Sequence, residues 1–421
     1  YRLTTVANAM PDGSRWGTTY MAFEDDLIVA PALQWDWATS FTRETSSAKG
    51  LSVFRITDGK PYLKQLTFYR CAPGEWGDVS IWKRFVFMSV AGHNSYRSET
   101  CNNTDKSRDA QGIRIVDISD PSHPRQVKFV RTQCGSLGHT LFPRHGKIYI
   151  YDGTGGQCRV FRNPTGRMDI IEFDPRHPRR AHIASAPTLH ISQLQGCYET
   201  LVIEHRNLFA CSYLYHAALY DTTDPLNPVY VGSAKTPTSF SANNLSATWD
   251  GNILVMSDAG DGGQPAQSCS AGAPVPDFYF FDIEDVTNPV LVGTYSLERI
   301  VMPADDRILR NCNSWSATVL PTKKPGRRVM SVGYAAGGFS LIDFSNPAEA
   351  KEIAYWFEGD GPASYSDVSG VYWYQGRIYA GEWQSRTGIH VFDVDGFNRA
   401  TTHYFEKRFN PGTMLIHDLQ W

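Results

Sequence analysis

Short runs of crowded apolar and aromatic residues recur along the whole chain, and each is followed by a turn rich in Asp and Pro. The clearest reads IRIVDISDPSHPRQV at 113–127, and the stretches AALYDTTDPLNPVYV, FYFFDIEDVTNPVLV and FSLIDFSNPAEAKEI repeat its pattern. Runs of this length and composition predict strands, and a segment with Asp and Pro between two of them predicts a turn. The recurring phrase therefore predicts a repeated β-hairpin.

Seven copies of this pattern align on one position near the end of the first strand of the hairpin. Successive copies are 49 to 62 residues apart, at Arg55, Asp117, Glu172, Asp221, Asp282, Asp343 and Asp393. Another apolar strand pair precedes each hairpin, for example at 79–90, 139–153 and 371–382. Four short strands per repeat predict an all-β fold, a seven-bladed β-propeller of four-stranded antiparallel blades. A solenoid is the alternative, but its repeats usually run about 20 to 45 residues. Because the copies fill the chain from end to end, we expect residues 1–421 to form one domain.

The composition is that of a globular protein, with 42% hydrophobic residues, 20% charged residues and a formal net charge of −3. A nearly balanced charge gives no general attraction for phosphate backbones or anionic lipid. No apolar run approaches the ~18 residues that a membrane-spanning helix needs. We therefore expect neither a nucleic-acid nor a membrane partner.

Eight cysteines occur without a CxxC pair, which favours disulfides over a zinc site. Pairing neighbours in order gives the hypothesis Cys71–Cys101, Cys134–Cys158, Cys197–Cys211 and Cys269–Cys312. The chain starts at Tyr1, which fits a mature form after signal removal or a trimmed chain, and the cysteines favour the first. It carries sequons at Asn102 and Asn244. Together these features predict a disulfide-stapled protein that is secreted or lies in the lumen of the secretory pathway.

Several segments resemble the LVIVD-repeat family of secreted β-propellers. Besides IRIVDISDPSHP they include WGDVSIW, QCGSLGHTLFP, NLSATWDGN and NCNSWSATVLPTKK, and the resemblance spans all seven units. It implies the fold and export but not the chemistry, because propellers host many functions. Bacterial relatives often carry His, in segments such as CHD, WHSAT and NCxxHN, where this chain has Tyr198, Leu245 and Trp315. The comparison implies that a polar ring has become aromatic and apolar here.

The residues that open the innermost strands of a propeller converge around its central channel. Counting back from the apolar anchor of each such strand gives Thr19, Asp78, His139, Glu199, Leu245, Trp315 and Ser369 or Gly370. The neighbours expected to wall this pocket are Trp76, Tyr198 and Phe240. The C-terminal HDLQW repeats the pattern, so we expect His417 and Asp418 to return to the channel as a closing strand.

Asp78, His139 and Glu199 are the candidate catalytic residues, because a desolvated carboxyl or imidazole group supplies acid, base or hydrogen-bond functions. The other pocket residues are candidates for substrate binding. The alternative is structural, since buried polar residues of this kind also hold blades together. We expect no cofactor and no metal, because too few His and carboxylate side chains converge. A glycan on Asn244 would obstruct the channel, so Asn102 is the predicted glycosylation site.

Two functions of different classes agree with this pocket. The first is a secreted, cofactor-independent enzyme that holds a small, mostly apolar or aromatic molecule, as a pericyclase or isomerase does. The exported character, sequons and metal-poor channel resemble the secreted fungal hetero-Diels–Alderases of tropolone-sesquiterpenoid biosynthesis. The second is a non-enzymatic scaffold that binds a secreted protein partner through its loops. A polysaccharide lyase or hydrolase is a third reading.

Overall fold

The strands of the protein form seven sheets, which confirms the predicted all-β seven-bladed propeller. A computed structural model describes residues 2–6, 17–18, 20–34, 47–71, 78–90, 112–133, 135–153, 167–189, 197–213, 216–237, 242–258, 277–297, 314–334, 337–357, 368–382 and 388–420. In these residues the helical structure consists of 3-10 turns at Pro178–Arg180, Glu204–Arg206, Pro347–Glu349 and Ile416–Asp418. None of the described helices has the length and apolar character needed to cross a membrane.

The first four blades follow one another along the chain after an initial strand, β1 (Arg2–Val6), which belongs to the last blade. From the channel outward, blade 1 consists of β2 (Ala22–Glu24), β3 (Leu27–Gln34), β4 (Ser47–Ile56) and β5 (Leu63–Tyr69). Blade 2 consists of β6 (Val79–Trp82), β7 (Phe85–Val90), β8 (Gly112–Asp117) and β9 (Arg125–Arg131). Blade 3 consists of β10 (Gly138–Arg144), β11 (Lys147–Gly153), β12 (Ile170–Phe173) and β13 (His182–Ser185). Blade 4 consists of β14 (Thr200–Ile203), β15 (Leu208–Tyr213), β16 (His216–Asp221) and β17 (Val229–Lys235).

The last three blades have the same order of strands. Blade 5 consists of β18 (Ala242–Ala247), β19 (Ile253–Asp258), β20 (Phe278–Asp282) and β21 (Val290–Tyr295). Blade 6 consists of β22 (Ser314–Val319), β23 (Val329–Tyr334), β24 (Gly338–Asp343) and β25 (Lys351–Trp356). Blade 7 consists of β26 (Val368–Tyr374), β27 (Arg377–Glu382), β28 (Ile389–Asp393) and then β1. Two further strands, β29 (Arg408–Phe409) and β30 (Thr413–Met414), extend the sheets of blades 1 and 4 on their channel side.

The N-terminal strand closes the ring. β1 pairs antiparallel with β28, from Arg2 opposite Asp393 to Val6 opposite Ile389. The N-terminal strand and the last strands of the propeller therefore share one sheet, and blade 7 is complete only when β1 is present.

The acidic residue of the recurring phrase has a local role in four of the seven copies. Its carboxylate accepts a hydrogen bond from the backbone N–H two residues ahead, at Asp117, Asp221, Asp282 and Asp343, over 2.7 to 3.0 Å. A second Asp or Asn, three residues further along the phrase, also accepts a hydrogen bond from the backbone N–H two residues ahead. Asp120, for example, accepts from the Ser122 N–H at 2.9 Å. The phrase recurs because these side chains satisfy the backbone donors of the turn between the third and fourth strands.

The same turns also contact the neighbouring blade. A Cβ added to Gly232, in the outer strand of blade 4, would lie 2.1 Å from the Val286 carbonyl oxygen of the blade 5 turn. A Cβ on Gly293, in blade 5, would lie 2.0 Å from the Pro347 oxygen of the blade 6 turn. These glycines let the backbone of one blade touch the turn of the next.

The C-terminal residues 401–420, named here the channel plug, contact all seven blades. Its tip lies against the innermost strands, and the remainder lies where those strands end. The contacts, in order of blade, are with Phe23, Ile81, Leu141, Val202, Trp249, Thr322 and Tyr374. The expectation that the C-terminal segment returns to the channel is correct, but the returning strands are β29 and β30. Residues 416–418 form a 3-10 turn, so the prediction of a strand at His417 is wrong.

The structure describes both cysteines of one predicted disulfide. Cys197 and Cys211 are bonded, with their Cα atoms 5.2 Å apart. Cys71 is disulfide-bonded as well, and its partner lies outside the described residues. Cys101, Cys134, Cys158, Cys269 and Cys312 also lie outside the described part of the chain, so the other three pairings stay predictions.

Replacing Gly232 with Ala tests the contact between a blade and its neighbour's turn. The added methyl group would meet the Val286 oxygen at 2.1 Å, so blades 4 and 5 have to move apart. We expect the free energy of unfolding in a denaturant titration to fall by about 2 kcal/mol, the usual cost of overpacking. Gly59→Ala is the control, since open space surrounds that position. Equal stability of the two variants would contradict the contact.

Candidate functional site

Three of the sequence-predicted residues converge at the end of the channel where the innermost strands begin. Asp78 precedes β6, His139 is the second residue of β10, and Glu199 precedes β14. Between them lies Gly138, where an added Cβ would be 3.4 Å from Asp78 Oδ2 and 3.8 Å from Glu199 Oε2. The sequence prediction that these side chains lie together agrees with this geometry.

Asp78 is held by backbone donors and remains slightly open to the channel. Its Oδ2 accepts a hydrogen bond from the His139 N–H at 2.6 Å and lies 3.3 Å from His139 Nδ1. The side chain is 10% exposed. Burial raises the pKa of Asp78 to about 7, and it outweighs the backbone hydrogen bonds from His139 and Val79, which act in the opposite direction.

His139 is a positioning residue in this arrangement, because its ring has no exposed surface. Nε2 lies 2.6 Å from Ser80 Oγ and Nδ1 lies 2.8 Å from Ser89 Oγ, so both ring nitrogens have hydroxyl partners. Burial lowers the pKa of His139 to about 3, which keeps the imidazole neutral. A neutral ring with one donor and one acceptor nitrogen matches two serines. The direct catalytic role predicted for His139 stays a prediction.

Glu199 is the second carboxyl group of the site, and it has a tyrosine partner. The Tyr20 hydroxyl donates a hydrogen bond to Glu199 Oε1 at 3.0 Å. Burial, and then the neighbouring charge of Asp78, raise the pKa of Glu199 well above its usual value. Both Tyr20 and Glu199 keep part of their surface exposed, so they face the channel.

Tyr20 and Tyr372 belong to the site although the sequence analysis did not select them. Both line a cavity of about 30 Å³, and burial raises the pKa of each hydroxyl well above its usual value. Tyr20 directly follows Thr19, which the counting rule chose, so a shift of one position would have found it. Tyr372 lies in the middle of β26, and the rule considered only strand starts.

The cavity is walled mainly by blades 5 and 6 and closed by the channel plug. Its lining includes the predicted residue Leu245, together with Asn244, residues 316–319 and residues 409–414. Asn244 Oδ1 also accepts a hydrogen bond from the Ala317 N–H at 3.0 Å. Asn244 lines this small cavity, so a glycan on its Nδ2 would need space that the cavity does not offer, and Asn102 stays the predicted glycosylation site. Asn102 itself lies outside the described residues.

The remaining predicted residues are more scattered. Trp315 is buried at the start of β22, next to the cavity wall but not among its described lining. Ser369 is 5% exposed, and its hydroxyl donates to the carbonyl oxygens of Thr18 and Gly381, each at 3.4 Å, so its contacts are structural. Tyr198 is partly exposed beside Glu199.

His417 is at the opposite end of the channel. Its Nδ1 lies 3.6 Å from Glu204 Oε2, just beyond the end of β14, whereas Glu199 precedes the start of that strand. The predicted strand-opening residue Thr19 and the predicted wall residues Trp76 and Phe240 lie outside the described residues. Within the described part of the chain, no three His, Cys, Asp or Glu side chains are placed to hold a metal ion.

The fold and site define a seven-bladed β-propeller with an acidic cluster at one end of its channel, and comparison with known proteins agrees on the fold. Residues 109–132 match the family model of the LVIVD repeat, which covers β8 and β9, the outer hairpin of blade 2. This match supports the resemblance to LVIVD-repeat propellers. No curated protein matches the chain.

Several solved structures share the fold. A candidate 6-phosphogluconolactonase from Bacteroides fragilis is 10% identical with a TM-score of 0.55, covering 94% of this chain and 97% of its own. A similar protein from Bacteroides uniformis is also 10% identical with a TM-score of 0.53, covering 86% and 89%. A protein of unknown function from Desulfotomaculum acetoxidans is 10% identical with a TM-score of 0.50, covering 80% and 84%. At this identity the likeness concerns the fold alone.

Asp78 and His139 have opposite effects on the pH dependence of stability. Folded Asp78 keeps its proton up to about pH 7, while the unfolded chain loses it near 3.8, so this group makes the protein less stable as pH rises between those values. Folded His139 stays neutral down to about pH 3, while the unfolded chain takes up a proton below 6.5, so this group makes the protein less stable as pH falls. The two effects cancel between about pH 4 and 6.5.

The variant Asp78→Asn removes one of these two effects and leaves the other. Relative to wild type, its unfolding equilibrium constant should fall about tenfold per unit as pH rises from about 4 to 6.5, because the His139 effect is no longer balanced. Denaturant titrations across this range measure the difference. The exposed Asp26→Asn is the control and should run parallel to wild type. A constant difference for Asp78→Asn would show that Asp78 is ionised in the folded protein.

Proposed function

We propose that this protein is a cofactor-independent enzyme that binds a small, mostly apolar organic substrate at the strand-start end of its channel. One observation carries the proposal: two carboxyl groups with raised pKa, Asp78 and Glu199, flank Gly138, and Tyr20 bonds to Glu199 at the same place. Perturbed titratable groups that meet in a cleft are characteristic of functional sites.

The chemical capacity of this cluster is hydrogen-bond donation. A protonated carboxylic acid carries one O–H donor, and so does a tyrosine whose pKa is raised. Donors of this kind, fixed in place before the substrate arrives, stabilise negative charge that develops on a carbonyl oxygen. His139 supports the arrangement from behind, since its backbone N–H and buried ring hold Asp78 in place.

The apolar part of the substrate would lie on the other side of the channel. Leu245, Tyr372 and Phe409 line the cavity there, and each is at most 6% exposed. Ligand pockets commonly combine an apolar wall with a few placed polar groups. This combination favours a molecule with one carbonyl group and an apolar body.

Cyclisation and isomerisation are the reactions that such a site assists best. A hetero-Diels–Alder cycloaddition forms two σ bonds from two π bonds, and it takes up and releases no atom. Holding the reactive conformer and polarising one carbonyl group lower its barrier. We therefore propose a pericyclase or isomerase of natural-product biosynthesis, of the kind found among secreted fungal hetero-Diels–Alderases.

Secretion is part of the proposal. The bridge between Cys197 and Cys211 and the bonded state of Cys71 support a chain that folds in an oxidising compartment. A glycan on Asn102 would be consistent with the same route.

Binding of acetophenone, an apolar ketone, tests the site chemistry. We expect the carbonyl stretch of the ¹³C-labelled ketone to shift to lower frequency on binding, because the two acids polarise it, as does Tyr20 once its hydroxyl turns from Glu199 Oε1 to the ketone. The variant Tyr20→Phe should lose part of this shift and bind several-fold more weakly, as expected for one lost hydrogen bond. Infrared difference spectra and calorimetric titration give the two measurements.

The matched control is Tyr62→Phe. Tyr62 donates to Asp393 Oδ2 at 2.9 Å, a contact like that of Tyr20 with Glu199 but away from the cavity. This variant should leave both the spectrum and the affinity unchanged. If acetophenone and a wider panel of apolar natural products neither bind nor stabilise the wild type against heat, the proposed function is wrong.

A second candidate function is a scaffold that binds a secreted protein, and one observation favours it. Large apolar side chains are exposed on the outermost strands of three neighbouring blades, at Val229, Tyr230, Val290, Leu291, Ile353 and Tyr355. A partner with a complementary apolar face would cover them. Charged substitutions at Val290 and Tyr355 that abolish a protein complex, but leave ketone binding intact, would support this candidate.

A further inference from the structure

We propose that the channel plug determines how deep a ligand enters the channel, and so restricts the substrate to compact molecules whose innermost group is about the size of a methyl group. This inference rests on the proposed function, since it concerns the depth of the same pocket. It assigns a specificity role to Phe409 and Met414, which lie far along the chain from the acidic cluster.

The tip of the plug lies halfway along the channel, not at its rim. The Asn410 side chain accepts a hydrogen bond from the Ile81 N–H at 2.7 Å and donates one to the Ile81 carbonyl oxygen at 2.8 Å. Thr413 Oγ1 accepts from the Leu141 N–H at 3.1 Å. Ile81 and Leu141 are interior positions of β6 and β10, so the plug blocks the passage at that depth.

The plug tip is closely fitted to the strands that surround it. The Gly412 carbonyl oxygen accepts a hydrogen bond from the Val202 N–H at 2.8 Å. A Cβ on Gly412 would lie 2.7 Å from the Thr200 oxygen and 2.8 Å from Thr140 Cγ2, and its φ of +70° already favours glycine. A side chain at this position would push the tip away from blades 3 and 4.

A buried ion pair anchors the plug below its tip. Arg408 Nε lies 3.1 Å from Glu24 Oε2 and 3.6 Å from Asp418 Oδ2, and the guanidinium carbon lies 3.8 Å from the ring centre of Trp82. The three charged side chains are each less than a tenth exposed. Removing one partner of such a pair is costly, so the plug is a fixed part of the channel.

Phe409 and Met414 form the floor of the remaining space. Both line the cavity, and each is 6% exposed. The cavity of about 30 Å³ exceeds the roughly 10–15 Å³ that a cavity needs to hold one water molecule, and it is far smaller than a cavity of ~150 Å³, which holds a benzene ring. The carbonyl group of a ligand would meet Tyr20, which lines the same cavity, and only a short group would reach the floor.

A homologous series of alkyl phenyl ketones, from acetophenone to octanophenone, measures the depth of the pocket. For wild type we expect the affinity to fall once the alkyl chain is longer than methyl or ethyl, because the space at the floor is about the size of a methyl group. In Phe409→Ala the space of one ring opens at the floor, so the preferred chain should be at least two methylenes longer. Each added methylene should then tighten binding about fourfold, as expected for its burial. Calorimetric titration gives the dissociation constants.

Phe397→Ala is the matched control. Phe397 is also 6% exposed, and it packs on Trp373 away from the cavity, so its loss should affect stability but not the preferred chain length. Met414→Ala serves as a second variant in case Phe409→Ala does not fold, and it should also shift the preference to longer chains. An unchanged preference in the folded floor variants would overturn the inference. Failure of every ketone to bind wild type would instead overturn the proposed function.

Discussion

The innermost strands of a propeller each have one edge without a neighbouring strand, and this constraint shapes the channel. Unpaired backbone donors and acceptors along an edge require either water or another partner. Here the plug supplies part of that partner, through β29 on blade 1, β30 on blade 4 and the side chains of Asn410 and Thr413 on blades 2 and 3. The channel is therefore closed at the depth of the plug tip.

The electrostatics of the open end follow from burial and not from ion pairing. Asp78 and His139 are close enough to form a salt bridge, yet burial favours the neutral form of both groups. At pH 5 to 6 the unfolded chain would carry Asp⁻ and His⁺ there, and folding converts them to a neutral acid and a neutral imidazole with no net exchange of protons. The opposed pH effects of this pair cancel, whereas the raised pKa of Glu199 makes the protein less stable as pH rises above about 4.5.

Local signals in the sequence predicted most of the fold. The turns with Asp, the strand pairs and the number of blades depend on residues that are close together in the chain. Asp117 and Ser119, for example, hydrogen-bond within one turn. The convergence of Asp78, His139 and Glu199 was also predictable, because equal offsets in equivalent strands lead to one place. Closure by β1 and the pairing of β29 and β30 join strands that are hundreds of residues apart in the sequence. No repeat in the sequence indicates these pairings. For the same reason the sequence analysis predicted His417 at the wrong end of the channel.

The two sides of the channel differ in chemistry, and this asymmetry bears on what a bound molecule can do. Blades 2 to 4 contribute Asp78, His139 and Glu199, while blades 5 to 7 contribute Leu245, Trp315 and Tyr372. The resemblance to LVIVD-repeat propellers implies His at the positions of Leu245 and Trp315, so the apolar half is where this sequence is expected to differ from that pattern. A symmetric polar ring would bind a polar group in several orientations. An amphipathic channel would favour one orientation of an amphipathic ligand, and a reaction that must form a single stereoisomer requires such a restriction.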